Sequence, residues 1–210
     1  MPTLALLGDS ILDNKPYVGR QPDTAEHLRQ LLGSDWSVEL LARDGSIIAD
    51  VRWQLASLPD TPDCAILSAG GNDAVEHIGL LAQPASSVAE VLAELAQIAD
   101  AFAERYDLLV DSLAPRVRRL VLCTIYEPPL LDPRAARLAR VPLSLLNDRI
   151  IRCAASRGLE VVDLRTVCTR PDDFVQEIEP SPAGAQKIAA AIARAVTGTP
   201  GTRSARLFAA

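Results

Sequence analysis

Ser10 is the first residue in the chain with chemistry to offer. It follows the aliphatic run Leu4-Ala5-Leu6-Leu7 and the pair Gly8-Asp9, so a buried strand should end at a glycine and present a hydroxyl in the turn beyond it. In a parallel α/β sheet, ligands collect at the carboxyl ends of the strands, where a hydroxyl is placed for nucleophilic attack. Alone, the triplet is also what an ordinary turn cap requires. Two later turns carry matching groups, Asp44-Gly45-Ser46 and Gly70-Gly71-Asn72-Asp73. Acyl transfer needs a nucleophile and two or three donors aimed at the developing oxyanion. The Ser10 hydroxyl, the backbone N–H groups of Ser10 and Gly45, and the Asn72 side-chain amide make such a set, supported by Asp9 and Asp73. Read structurally instead, Gly45 is a plain turn glycine and Asn72 a loop amide bonded to its own backbone. His77, five residues after Asn72, is a candidate base beside the oxyanion loop; His27 sits on a helix and receives no role.

The elements that must position these groups alternate. After the first strand, the turn-rich loop Ile11 to Gln21 leads to a helix capped by Asp23, with Glu26 at the capping-box spacing and Gly33 as its stop. Trp36 to Ala42 reads as the second strand and Ile47 to Leu58 as an amphipathic helix. Asp63 to Ala69 is the third strand. Ser86 to Arg116 is the longest helix, with Val88, Val91, Leu92, Leu95, Ile98, Phe102, Leu109 and Leu113 forming a stripe expected to be core. Leu120 to Tyr126 is the fourth strand, Ala135 to Arg157 a helix bent at Pro142 and stopped by Gly158, and Leu159 to Leu164 the fifth strand. The last helix begins near Ser181, with Pro182 at its favoured first position. Strands alternating with helices predict a three-layer α/β/α sandwich on a five-stranded parallel sheet. One domain over 1–196 is expected, with a loose Gly/Thr/Pro/Ser-rich tail over 197–210.

Bulk properties narrow the function. The 210 residues carry a formal net charge of −6, which points away from nucleic acid as a partner. There is no apolar run of membrane-spanning length and no basic leader segment ahead of the first strand, so a cytoplasmic protein is expected. Cys64, Cys123, Cys153 and Cys168 are widely spaced and the chain has only two histidines, so buried free thiols, with neither metal nor other cofactor, are the better account. A dinucleotide site would need Gly-x-Gly-x-x-Gly after the first strand, and Gly8-Asp9-Ser10-Ile11-Leu12-Asp13 does not supply it.

The sequence resembles the SGNH hydrolases, the GDSL esterases and lipases. Gly8-Asp9-Ser10 is similar to that family's first block, Gly45 to its second, Gly70-Gly71-Asn72-Asp73 to its third, and Pro180-Ser181-x-x-Gly184 to the tail of its fifth. The order is kept from residue 3 to about 196. The resemblance implies a flavodoxin-like fold and hydrolysis of small acyl esters or thioesters through an acyl-enzyme on Ser10, with Ser10, Gly45 and Asn72 as oxyanion donors. It breaks at the fifth block, where the family reads Asp-x-x-His-Pro-Ser. Here Gln176 stands for the aspartate and Glu179 for the histidine. A free glutamate is about 2 pKa units below histidine, roughly 3 kcal/mol less driving force for taking the serine proton. Two outcomes follow: Ser10 and Glu179 form an atypical working dyad, or Glu179 is a cap and the chain is a weak or inactive ligand-binding member of the fold. No long apolar lid segment is evident, which points away from long-chain lipids.

Overall fold

β1 (Thr3–Gly8), β2 (Ser37–Leu40), β3 (Cys64–Ser68), β4 (Leu120–Cys123) and β5 (Glu160–Val162) pair in parallel in the order β2-β1-β3-β4-β5 in the computed structural model, which describes residues 1–198. β1 and β3 occupy the middle of the sheet and are buried on both faces, which is why they read as unbroken apolar runs. Their side chains alternate between two cores. Leu4, Leu6 and Ile66 face α2 (Thr24–Leu32) and α7 (Pro182–Thr197), while Ala5, Leu7 and Leu67 face α3 (Ile48–Gln54), α5 (Val88–Leu113) and α6 (Pro133–Arg157). The result is the three-layer sandwich the alternation predicts. The proposed tail lies, from residue 199 onward, outside the described residues.

Local rules set most boundaries. The Asp23 carboxylate accepts the Glu26 N–H at 2.7 Å while the Glu26 carboxylate accepts the Asp23 N–H at 2.9 Å, closing the capping box that starts α2. α3 ends at Gln54, sooner than expected, and a 3₁₀ turn continues it over Leu55–Ser57. The loop after β1 contains a short helix, α1 (Lys15–Val18). β4 stops at Cys123 rather than Tyr126 because a side chain replaces the neighbouring strand: the Asn147 amide accepts the Ile125 N–H at 2.7 Å and donates to the Ile125 carbonyl at 2.8 Å. α6 runs on past Pro142 to its stop at Gly158.

The apolar stripe of α5 is core only in its second half. Phe102, Leu109 and Leu113 are fully buried, but Val88 is 76% and Leu92 60% exposed, and Leu95 and Ile98 are half-buried. Geometry explains the difference. The 26 residues of α5 span about 39 Å, whereas strands of its neighbouring sheet are three to six residues long and reach roughly 20 Å at most. The helix therefore overhangs the sheet, and its periodicity continues where no sheet lies behind it.

The four cysteines are free and buried. Burial pushes the Cys64 thiol up to about 11 and those of Cys153 and Cys168 to about 12, with Cys123 higher still. Among the described residues no helix is long and apolar enough to cross a membrane.

One glycine is fixed by a close approach of strands. Gly8 has φ +137°, and a Cβ there would sit 1.7 Å from the Ser68 carbonyl oxygen on β3. Gly8→Ala must therefore force β1 and β3 apart; we expect a loss of about 4 kcal/mol or more in urea unfolding, or no soluble folded protein.

Candidate active site

The end of β1 is held from two sides. The Gln54 side chain accepts the Gly8 N–H at 2.9 Å and donates to the Gly8 carbonyl at 2.8 Å. Across the strand the Ser68 carbonyl accepts the Asp9 N–H at 3.2 Å. Asp9 is 1% exposed; its Oδ1 accepts the Ile11 N–H at 3.1 Å, while Oδ2 is buried with no hydrogen-bond partner. This turn leaves Ser10 at the floor of a cleft with its backbone N–H donating to no protein group.

Glu179 reaches Ser10 by a route not visible in the sequence. Rather than opening the last helix, it lies in a small antiparallel hairpin, β6 (Phe174–Val175) and β7 (Glu179–Pro180), with Val175 opposite Glu179. Asn14, fully buried, donates its side-chain amide to the Pro180 carbonyl at 3.2 Å and accepts from the Thr24 N–H and hydroxyl. The Tyr126 hydroxyl donates to the Ile178 carbonyl at 2.5 Å, and its ring packs edge-on to Phe174. Behind the hairpin, the Ser181 hydroxyl accepts the Gly184 N–H at 3.1 Å and donates to the Asp172 carbonyl at 2.6 Å. A Cβ at Gly184 would meet the Asp173 carbonyl at 2.1 Å, so the Pro-Ser-x-x-Gly pattern is the seat of the hairpin on α7.

Glu179 is 9% exposed, and its Oε2 is buried without a partner. Burial raises its pKa above the usual carboxylate value, the neighbouring Ser10 hydroxyl draws it back, and the Asp44 charge raises it further. Asp9 is pushed up to about 7, chiefly by burial, against the Ile11 N–H and with help from the charges of Glu179 and Asp73.

The oxyanion candidates stand as follows. Asn72 lies in the first turn of α4 (Gly71–Glu76), lines the cleft and donates one amide hydrogen to the Ser46 carbonyl at 2.9 Å. That bond ties it to the turn containing Gly45. Gly45 has φ +77° and an N–H with no protein partner, but it is exposed and does not line the cleft. Asp73 acts structurally: its Oδ2 accepts the Ile48 N–H at 3.0 Å at the start of α3, and Arg105 lies 3.6 Å from Oδ1. His77 is exposed at the end of α4 and lines the cleft without a side-chain hydrogen bond. Gln176 is exposed in the hairpin turn at φ +48° and makes no hydrogen bond to Glu179; the structure does not bring it into the cleft. Asn14 and Gln54, which hold the site in place, went unrecognised in the sequence. Gln54 had a signal, since it falls three residues after Val51 on the buried face of α3.

The cleft holds about 980 Å³ of empty space, its open mouth included. Away from Ser10 its walls are almost wholly apolar, formed by α4, the 3₁₀ turn Ile78–Ala82, the overhang of α5, and α6 around Pro142. An apolar wall is thus present without a separate lid segment.

The sequence profile of the GDSL-like Lipase/Acylhydrolase family matches residues 6–187, and no curated protein matches the chain. Among solved structures, LAE5, an alpha/beta hydrolase enzyme from the metagenome of Lake Arreo, Spain, is 24% identical with a TM-score of 0.68, over 94% of this chain and 95% of its own. The lipase/acylhydrolase from Enterococcus faecalis is 19% identical with a TM-score of 0.67, over 98% and 100%. A catalytic variant of Axe2, an acetylxylan esterase from Geobacillus stearothermophilus, is 18% identical with a TM-score of 0.68, over 97% of each chain. At these identities the likeness is one of fold.

Because the folded Asp9 carboxyl is raised from 3.8 to about 7, the folded state holds a proton there that the unfolded chain releases. That contribution to stability is complete below about pH 4 and disappears as pH rises through about 7, at about 1.4 kcal/mol per pH unit. Asp9→Asn keeps the acceptor for Ile11 and removes the titration. The stability difference between native protein and Asp9→Asn, followed by urea unfolding from pH 5 to 8, should change with that slope up to about pH 7 and level off above it.

Proposed function

The chain belongs to the GDSL-like lipase/acylhydrolase family, and on that premise we propose that it hydrolyses esters through an acyl-enzyme on Ser10, with Glu179 as the proton acceptor. The observation that supports this reading is a buried carboxylate with an unpartnered oxygen, lining the same cleft as Ser10 and influenced by its hydroxyl. Ser10 Oγ attacks the ester carbonyl carbon as its proton passes to Glu179, and the carbonyl electron pair moves onto oxygen. The Ser10 N–H and the second Asn72 amide hydrogen receive that oxyanion, while Gly45, outside the cleft, acts through the turn that Asn72 bonds. Collapse expels the alcohol oxygen, which takes the proton back from Glu179. Water then repeats the sequence on the acyl-enzyme and frees the acid.

A carboxylate base is weak, and two features of the site offset this in part. Burial raises its proton affinity, and the hairpin fixes it next to Ser10, so no entropy is lost in bringing base and nucleophile together. His77, exposed at the cleft wall, is the competing base.

Incubation with a fluorophosphonate probe followed by intact-mass analysis tests the assignment. We expect one adduct on the native chain, none on Ser10→Ala, and an adduct slowed about 10²–10⁴-fold in Glu179→Gln, the usual worth of a positioned general base. Labelling unaffected by Glu179→Gln but slowed by His77→Gln would transfer the base to His77. No adduct under conditions that label an ordinary serine esterase would overturn the serine mechanism in favour of a binding protein. Since the Glu179 pKa is raised above 4.5, labelling should fall as pH drops through a value above 4.5, where the base takes up its proton.

A further inference from the structure

The two sides of Ser10 differ in chemistry, and an ester has two halves. On the β3–β4 side, the cleft runs from Ser10 into the groove walled by Ile78, Leu81, Leu95, Ile98, Leu143 and Leu146. On the β2 side, which the strand order places across β1 from the groove, the rim is acidic. There the Tyr17 hydroxyl donates to both Asp44 oxygens, at 2.9 and 3.1 Å, and the Asp44 N–H donates to Asp13 Oδ2 at 3.0 Å. Tyr17 sits on α1, which packs against β7, and the charges of Glu179, Asp44 and Asp13 all act on it, so this acidic group lies beside the Glu179 side of the cleft. Lys15, on the same helix as Tyr17, is paired with Glu26 at 2.9 Å, Arg43 beside Asp44 is exposed and in no ion pair with it, and no cation pulls on Glu179. Between the two sides lies the unpartnered, nine-tenths-buried Oε2 of Glu179.

We propose that the substrate is a neutral or cationic ester whose apolar half fills this groove, and that the acidic rim rejects esters and thioesters carrying a negative charge, such as phosphate-bearing acyl compounds. The proposal rests on the serine-hydrolase reading above. Two physical terms support it. A chain lying in the groove leaves water for aliphatic walls, and each fully buried methylene is worth about fourfold in kcat/KM. An anionic head brought to this side meets carboxylates of like sign, and among the described residues Asp13, Asp44 and Glu179 stand in no ion pair, which costs affinity and slows encounter. Overhang makes the groove possible: the half of α5 that outruns the sheet has its apolar stripe left over, and Leu95 and Ile98 turn that stripe toward Ser10.

The test uses the full chain and p-nitrophenyl acetate, butyrate and hexanoate, with alkyl acetates of matching length to place the chain on the alcohol side. In one series kcat/KM should climb about fourfold per methylene, and Leu143→Trp should lower the hexanoate-to-acetate ratio more than tenfold. Against phenyl hexanoate, the anionic 4-hexanoyloxybenzoate should be turned over at least tenfold more slowly, whereas hexanoylcholine should be turned over no more slowly than its neutral isostere 3,3-dimethylbutyl hexanoate. The anionic penalty should shrink in Asp44→Asn and at 0.5 M salt. Turnover that depends on Ser10 yet is flat with chain length in both series, or equal for anionic and neutral esters, overturns the proposal and leaves the serine mechanism standing. If catalysis itself fails, ligand-observed NMR of methyl hexanoate with the Ser10→Ala protein still decides. Binding that Leu143→Trp abolishes supports the groove; no binding overturns it.

Discussion

The approach of β1 to β3 at Gly8 is the contact to which the rest of the site is referred. A carbonyl oxygen of β3 occupies the space where any side chain at position 8 would begin, and the same oxygen accepts the next N–H of β1. Gln54 grips Gly8 from below with a two-way amide pair. With the backbone fixed on both edges, Asp9 is driven into the interior and Ser10 is left at the cleft floor. The loops that face Ser10 are then tied to one another: Asn72 to Ser46, Ile48 to Asp73, and Pro180 to Asn14. Each of these bonds joins segments far apart in sequence, so the site is a property of the finished fold.

Glutamate in place of an imidazole changes the electrostatic problem. A histidine base starts neutral and becomes a cation in the transition state, whereas a carboxylate starts charged and is neutralised. In the proposed mechanism the protein therefore holds a buried anion before the reaction, near Asp9 and Asp44. Full ionisation of both buried carboxyls in a poorly solvated site would be costly. Burial works against this by pushing the Asp9 carboxyl up to about 7, which lowers the charge the cleft floor must hold below that pH. The absence of an orienting partner fits the same logic, because a carboxylate has no tautomer to fix. What it needs is a rigid backbone, and the hairpin from Phe174 to Pro180 supplies it.

Much of this was legible in the chain. Central parallel strands announce themselves as aliphatic runs, the Asp23 and Gly33 caps bracket α2, and Pro182 and Gly158 mark helix ends as their backbone chemistry requires. The family blocks place Ser10 and the Asn72 loop at strand ends, where the structure has them. The α5 stripe was misjudged because periodicity reports which face is apolar and not what covers it. The hairpin was invisible because two-residue strands have no pattern of their own; it exists through Asn14, Tyr126 and the seat on Gly184. Gln176 shows the limit of aligning by spacing, since its turn points it to solvent whatever residue the family has there.

The buried thiols bear on how the molecule responds to electrophiles. All four cysteines are enclosed, and burial holds them protonated at neutral pH. Protonated and enclosed sulfur is a poor nucleophile, so in the folded state a reactive acylating or phosphorylating compound meets little competition from thiols. The cysteines become reactive only when the layers around them separate. They lie on both sides of the sheet, Cys64, Cys123 and Cys168 in one core and Cys153 in the other. Their rates of alkylation therefore act as two independent clocks of opening, and comparing them reports whether the two layers loosen together or one before the other.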